Sequence, residues 1–221
     1  MNNLLSKAKT LEAIEIMGQM FPDARCELNH RNPFELLIAT ILSAQTTDVS
    51  VNKVTPRLFQ LYPNPVLLSQ ASIEDVIDCI RTLGLYKNKA KNIILCAQQL
   101  VANFNGQVPQ THKELESLSG VGRKTANVVL SVAFGVPAIA VDTHVERVSK
   151  RLRIVKESDS VKEVEETLMK KIPKKLWSAA HHRMIFFGRY HCTSRAPKCQ
   201  SCPLLYLCQD GQNRLGLSKK K

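Results

Sequence analysis

The chain has 221 residues, with 31 Lys and Arg against 19 Asp and Glu, for a formal charge of +12. That length suits one large domain or two small ones, and a 44% hydrophobic content is enough to build buried cores. The charge points to a polyanionic partner, nucleic acid first. No run approaches the roughly 18 apolar residues of a membrane span, which excludes that class.

The opening stretch places Leu5, Ala8, Leu11, Ile14, Met17 and Met20 three apart, with Lys7, Lys9, Glu12 and Glu15 between them. This reads as an amphipathic helix, not as the uninterrupted apolar core of a secretory signal. A cytoplasmic, reducing location is therefore expected, in which the seven cysteines are not paired as disulfides. Asn32-Pro33 opens a helical run carrying Phe34, Leu37, Ile38, Ile41 and Leu42. A second carries Val51, Val54, Leu58 and Leu61 and closes at Pro63 and Pro65. Ser72-x-x-Asp75 resembles a capping box and starts a third, with Ile73, Val76, Ile77 and Ile80, which ends at Gly84. Lys87 to Phe104 forms a fourth, with Ala90, Ile93, Ile94, Ala97, Leu100 and Val101 on one face, and Asn105-Gly106 stops it.

Leu115 and Leu118 mark a short helix before Gly120, and Ala126 to Phe134 another, stopped by Gly135-x-Pro137. Ala138–Val141 could be a strand, but one four-residue run without a partner makes no sheet, so an extended connector is expected. Thr143-x-x-Glu146 is expected to open the next helix with a capping box. Further helices are expected over roughly 159–171 and 175–187. The class is all-α. Basic residues crowd the end: from Gly188 onward Arg189, Arg195, Lys198, Arg214, Lys219, Lys220 and Lys221 face Asp210 alone. The Lys219-Lys220-Lys221 tail reads as frayed and adds only non-specific attraction.

Cys26, Cys79 and Cys96 are scattered through helical runs and read as small buried hydrophobes. Four others form Cys192-x6-Cys199-x2-Cys202-x5-Cys208, close enough to surround one metal centre, with Pro197 and Pro203 helping the turns. Zinc ribbons pair two short knuckles, and here only Cys199-Gln-Ser-Cys202 is one. The spacing favours an iron–sulfur cluster over zinc while leaving both open. No βαβ context supports a redox Cys-x-x-Cys.

Leu118-Ser-Gly-Val-Gly-Arg-Lys-Thr-Ala126 is the most informative stretch. Two glycines flank one apolar residue between two helices and permit a tight turn with close backbone approach. The following helix points its free N–H groups and positive end outward, so Gly120, Val121, Gly122 and Arg123 are the candidate contact for a DNA phosphate. A Walker loop fails, because Arg123 and not glycine precedes Lys124. The plain alternative is a helix–turn–helix corner with a solvated lysine. With an ordinary pKa of about 10.4, on the order of one lysine in a thousand is neutral at pH 7. A positive helix end, the cationic neighbour Arg123 and partial burial would each favour the neutral, nucleophilic amine of Lys124. Asp142 is the candidate acidic partner, to manage protons or stabilise positive charge, and an N-cap role is its structural alternative. His144, His181 and His182 read as structural histidines.

These motifs, in this order, resemble the endonuclease III family of helix–hairpin–helix DNA glycosylases with AP lyase activity. The resemblance rests on Gly120-Val-Gly122-Arg-Lys124-Thr-Ala-Asn-Val, Val141-Asp142-Thr-His144, Gly188-Arg189 and the cysteine tail, and it runs from about Leu11 to Cys208. It implies two lobes: a six-helix bundle at 25–135 ending in the helix–hairpin–helix motif, and an iron–sulfur cluster lobe of 1–24 with 136–221. Double-stranded DNA containing damaged bases or abasic sites would lie across the cleft between them, bound by a monomer without a membrane, in the nucleoid. It also implies that Lys124 is the nucleophile, Asp142 the acidic residue, and Cys192, Cys199, Cys202 and Cys208 the ligands of a [4Fe–4S] cluster. In Leu42-Ser-Ala-Gln45-Thr-Thr-Asp48, Gln45 matches the residue that fills the gap left by a flipped-out base. In Gly84-Leu85-Tyr86-x-x-Lys89-Ala90, Leu85 matches the wedge that props the stack open. One departure is Ser119, where the family hairpin often has proline, at an expected loss of turn rigidity. The implied activity is excision of oxidised pyrimidines, then cleavage 3′ to the abasic site by β-elimination through a Schiff base. An adenine-specific mismatch glycosylase lacks this lysine and needs a further C-terminal domain. A non-catalytic DNA-binding module held by its metal is the alternative from another class.

Overall fold

In a computed structural model the chain is described over residues 4–217, so the Lys219–Lys221 tail lies outside the described residues. Every regular element among them is helical. Two compact units form. One is Glu27–Val136; the other joins the segment before it, ending at Cys26, to the segment resuming at Pro137. No helix among the described residues is long and apolar enough to cross a membrane.

Helix α1 (Lys7–Met20) is capped by Ser6, whose side chain accepts from the Lys9 N–H. Its buried face is Thr10, Ala13, Ile14 and Met17, and Ala8 is exposed, against the three-apart stripe expected. A spacing of three falls about 60° behind the 3.6-residue turn at each step, so such a stripe spirals off any one face.

The central unit begins with α2 (Pro33–Leu42). Asn32 caps it, Pro33 fills the first turn where its missing N–H costs nothing, and every residue from Phe34 to Leu42 is buried. Buried Glu35 is paired by Arg31, which donates from its backbone at 2.8 Å and from its guanidinium at 2.7 Å. Helices α3 (Asp48–Leu61), α4 (Pro65–Ser69) and α5 (Ile73–Ile80) follow, each opened by a side-chain cap from Thr47, Asn64 and Ser72 respectively. The long α6 (Tyr86–Phe104) ends where Asn105 turns left-handed. A short α7 (His112–Glu116) and α8 (Arg123–Phe134) close the unit. Helix α8 starts three residues before the apolar run that marked it. Helix α2 packs on α3, α6 and α8, and α4 and α5 pack on α6. Leu36, Leu37, Ile38, Leu42, Leu58, Ile80, Ile93 and Leu100 are completely buried, each worth about 1.5–3 kcal/mol of transfer free energy.

The second unit opens with the connector Ala138–Val141, buried and without strand assignment. It leads into α9 (Thr143–Arg151), α10 (Val161–Lys171) and α11 (Trp177–Phe186). A π-helical turn, Phe187–His191, continues α11, and α12 (Gln209–Arg214) ends the described chain. The expected Thr143 capping box is not what opens α9. Asp142 is the N-cap, accepting from the N–H groups of His144 and Val145, while Glu146 turns to Lys150 at 2.6 Å. Helix α1 joins this unit because Ile14 and Met17 pack with Val145, Val148, Leu168, Met184 and Phe187. Lys171 fixes the entry, its Nζ donating to the carbonyls of Leu5 at 2.6 Å and Ile154 at 2.7 Å.

Candidate active site and cysteine cavity

The hairpin is a backbone device. Gly120 has φ +78°, and a Cβ there would meet Ile41 Cγ2 at 3.0 Å and Asn92 Cβ at 3.1 Å, so only glycine fits. Gly122 differs: a Cβ on it would meet nothing within 4 Å, so its outer side is open. Val121 is buried and anchors the turn between them. Gly122 is the N-cap of α8 and offers no side chain to the first N–H groups, which leaves that helix end suited to an anion. Arg123 and Lys124 are exposed in the first turn. The partial burial expected of Lys124 is not seen.

Ser119 does not leave the turn loose, as the lost proline suggested. Its N–H donates to Gln99 Oε1 at 2.7 Å and its hydroxyl to Asn92 Oδ1 at 3.3 Å. Proline, lacking the N–H, cannot make the first bond. Here two α6 side chains hold the hairpin in place of a ring.

Gln45 and Leu85 share an unusual backbone. Both are non-glycine residues with positive φ, +53° and +58°, a conformation costing about 1–2 kcal/mol each. Gln45 is exposed, and Leu85 is 56% exposed as the N-cap residue of α6, where it makes no side-chain cap. An apolar side chain pushed into solvent on a strained turn contributes nothing to folding.

Asp142 lies in the other unit from Lys124. Both of its capping bonds, at 2.9 and 2.8 Å, fall on Oδ1, so Oδ2 takes no part in the cap. Behind it, a Cβ on Gly188 would come within 2.9 Å of His144 Cβ and 3.2 Å of Val148 Cγ2, which is why glycine precedes Arg189. His144 contacts Arg147 at 3.0 Å, and the His181 and His182 rings lie 4.9 Å apart on α11.

Cys192, Cys199, Cys202 and Cys208 line one cavity. Burial pushes the Cys202 thiol up to about 11 and also raises Cys199 and Cys208, with neighbouring thiols adding to the rise. Among the described residues no three His, Cys, Asp or Glu gather closely enough to hold a single ion. The four thiols are instead spread around the cavity wall. Gly211 belongs to that wall: its N–H donates to Cys208 Sγ at 3.3 Å, and a Cβ on it would lie 3.5 Å from Cys208 Sγ and 3.7 Å from Cys199 Sγ. His191 also lines the cavity, with a buried Nε2 that has no hydrogen-bond partner. Of the other cysteines, Cys79 and Cys96 are buried in helices as expected, whereas Cys26 is only half-buried and lies in the connection between α1 and α2.

Two site residues escape a reading of motifs. Arg147 and Arg151, one turn apart on α9, clamp the strand of chain that enters the cavity. Arg147 donates to the Gly188 carbonyl at 2.8 Å and that of Cys192 at 3.2 Å. Arg151 donates to the carbonyls of Thr193 at 2.7 Å and Ser194 at 2.9 Å and to Cys192 Sγ at 3.4 Å. Their i, i+4 spacing after Asp142 is the only sequence signal, and it looks like an ordinary solvated basic face.

An all-helical fold with a two-glycine hairpin and a four-cysteine segment defines a class. The model of the HhH-GPD superfamily, base excision DNA repair proteins, matches residues 38–174. The chain is 58% identical to Endonuclease III of Bacillus subtilis (strain 168) over 201 residues, 91% of this chain and 92% of the relative. It is 46% identical to Endonuclease III of Escherichia coli (strain K12) over 205 residues, 93% and 97% of the two. A solved structure of a trapped Endonuclease III–DNA covalent intermediate, an estranged-adenine complex, matches with a TM-score of 0.94 at 59% identity, covering 96% of this chain and 100% of that one. The chain belongs to the HhH-GPD superfamily and, within it, to the endonuclease III family, the DNA glycosylases and AP lyases of base excision repair.

Proposed function

We propose that the chain excises oxidised pyrimidines from double-stranded DNA with Lys124 as nucleophile, and then cleaves 3′ to the resulting abasic site. One observation carries the reading. Lys124 stands exposed in the first turn of a helix with no side-chain cap, directly behind the open Gly122. The trapped covalent intermediate of the related enzyme supports it. The free amine attacks C1′ of the deoxyribose, and the C1′–N bond breaks, its electron pair leaving with the base. Loss of a proton from nitrogen and ring opening give the Schiff base. That linkage acidifies the C2′ proton, whose removal expels the 3′ phosphate by β-elimination. Asp142 uses Oδ1 to cap α9 and keeps Oδ2 for positive charge that develops on the sugar.

The hairpin residues Gly120, Val121, Gly122 and Arg123 hold a DNA phosphate through backbone N–H groups and one cation, which positions the duplex without reading sequence. The +12 charge of the chain adds salt-dependent attraction. Gln45 enters the gap left by the extruded base and Leu85 wedges the stack, which explains their exposed, strained backbone. The hairpin unit is the helix–hairpin–helix lobe and the unit with the cysteines is the cluster lobe.

Cys192, Cys199, Cys202 and Cys208 hold a [4Fe–4S] cluster. The donor set fits: four thiols line one cavity, and His191, whose buried Nε2 has no hydrogen-bond partner, lines it with them. A single zinc with bonds of about 2.3 Å needs its sulfurs about 3.8 Å apart around one point. When bound, the cluster cross-links four points of the segment; the exposed Arg195 and Lys198 on that segment then meet phosphates. The enzyme works in the cytoplasm, at the nucleoid.

Borohydride reduction in the presence of abasic duplex DNA tests the chemistry. Covalent trapping that disappears in Lys124→Ala is the expected result. An unmodified protein that binds the duplex but is never trapped would make it a binding module. Iron and sulfide analysis tests the metal, and one zinc without iron would overturn that assignment.

A further inference from the structure

We propose that Lys89 is a positioning residue that ties the Gln45 turn to the Leu85 turn, so that both base-probing side chains stand in one register; this rests on the base-probing roles given above. Lysine is among the residues least often buried, yet Lys89 is only 4% exposed. It sits in the first turn of α6, where the helix dipole disfavours a cation. Its pKa is lowered by burial, with no carboxylate offsetting the cost. Folding alone would be served better there by leucine or methionine.

What the lysine gains is reach. Its Nζ donates to Thr46 Oγ1 at 2.5 Å, bridging 43 residues of sequence to the neighbour of Gln45. Its backbone N–H donates to the Leu85 carbonyl at 3.0 Å, closing the turn that displays Leu85. Thr46 is fixed in turn by its N–H to the Ser43 carbonyl at 3.1 Å, at the end of α2. Left-handed backbone at non-glycine residues persists only where the surroundings over-determine it. One residue touches both turns: its backbone closes the Leu85 turn and its buried side chain ties that helix start to Thr46, and both turns belong to the same unit. Removing the tie frees each turn to relax independently, so the gap-filling and wedging side chains no longer arrive as a pair.

The test is a double-mutant cycle with Lys89→Met and Thr46→Val, read by single-turnover excision of an oxidised pyrimidine from a duplex. Each single variant is expected to slow excision about tenfold, the scale of one charge-assisted hydrogen bond, and the double variant is expected to be no slower than either. Lyase cleavage of a preformed abasic site in single-stranded DNA, which has no stack to prop open, is expected to fall at most about twofold in the same proteins. Independent, multiplying losses, equal losses on duplex and single strand, or no loss in either variant would overturn the tie. Leu85→Ala separates this from the reading beneath it. If that variant excises normally from duplex, the base-probing roles themselves fail; if it is slow while Lys89→Met and Thr46→Val are not, only the tie fails.

Discussion

The two units present chemistry by opposite means. In the hairpin unit the site is contiguous: Ser119, Gly120, Val121, Gly122, Arg123 and Lys124 follow one another, and the helix end is offered to an anion by backbone alone. In the cysteine unit the four thiols are also close in sequence, but the chain that carries them is held by Arg147 and Arg151 from more than forty residues upstream. A backbone device needs only the right residues in a row. A thiol cavity that is to load a metal must keep its wall in place, and that takes side chains brought from elsewhere. Substitutions should therefore abolish chemistry in the first unit and loosen the scaffold in the second.

The sharpest contrast comes from Lys124→Ala. Strand cleavage at abasic sites is expected to fall by at least about a thousandfold, as for loss of a covalent nucleophile. Duplex affinity should change by less than about tenfold, because the proposed phosphate contact uses backbone N–H groups. Nitrocellulose binding beside a gel-based cleavage assay measures both, and a parallel loss of the two would erase the distinction.

Asp142 is where the two strategies meet, since one carboxylate is both helix cap and candidate catalyst. Asparagine caps as well as aspartate, so Asp142→Asn should hold urea stability within about 0.5 kcal/mol while excision falls roughly a hundredfold. Asp142→Ala should lose the same activity and about 1 kcal/mol of stability besides. If the asparagine variant kept full excision, the cap would be the residue's whole purpose.

Arg151→Met tests the cysteine unit. It strips hydrogen bonds from the Thr193 and Ser194 carbonyls and from Cys192 Sγ, at an expected cost of about 2 kcal/mol. Iron release from the proposed cluster to a chelator should accelerate severalfold. It should accelerate further as pH falls: burial raises the thiol pKa values, so protons compete for the sulfurs more strongly in acid. Unchanged release kinetics would mean that the clamp does not support the cavity.

What could be read in the sequence follows the same divide. Helix spans were legible from apolar spacing, and the hairpin and cysteine segments from local motifs, because each is a short-range property. The Thr143 box was misplaced because Asp142 caps α9 one residue earlier, taking the N–H groups of His144 and Val145, and an aspartate is as good a cap as a threonine. The α1 stripe drifted because spacing alone does not fix the helical phase. Arg147, Arg151 and Lys89 look like ordinary surface cations; only the long-range packing of α9 and α6 turns them inward. The exposure of Lys124 was likewise illegible, since a helix position says nothing of what covers it.

Ser119 gives the smallest expected effect and the closest test of how the hairpin is held. In this chain Gln99 receives the Ser119 N–H, so Gln99→Ala should cost about 1 kcal/mol by leaving that donor without its partner. In a Ser119→Pro background there is no N–H to lose, and the same alanine substitution should cost only the packing of a half-buried side chain and its long, exposed bond to the Ser117 carbonyl at 3.4 Å, which are lost in both backgrounds and cancel in the coupling. Ser119→Pro alone trades two hydrogen bonds, to Gln99 and Asn92, for a stiffer unfolded chain and should lower stability by no more than about 1 kcal/mol. The coupling between the two sites is the quantity to measure, by urea unfolding of all four proteins. A coupling near zero would mean that the hairpin is positioned by Gly120 against Ile41 and Asn92 without help from the serine, and the backbone device would then stand on glycine alone.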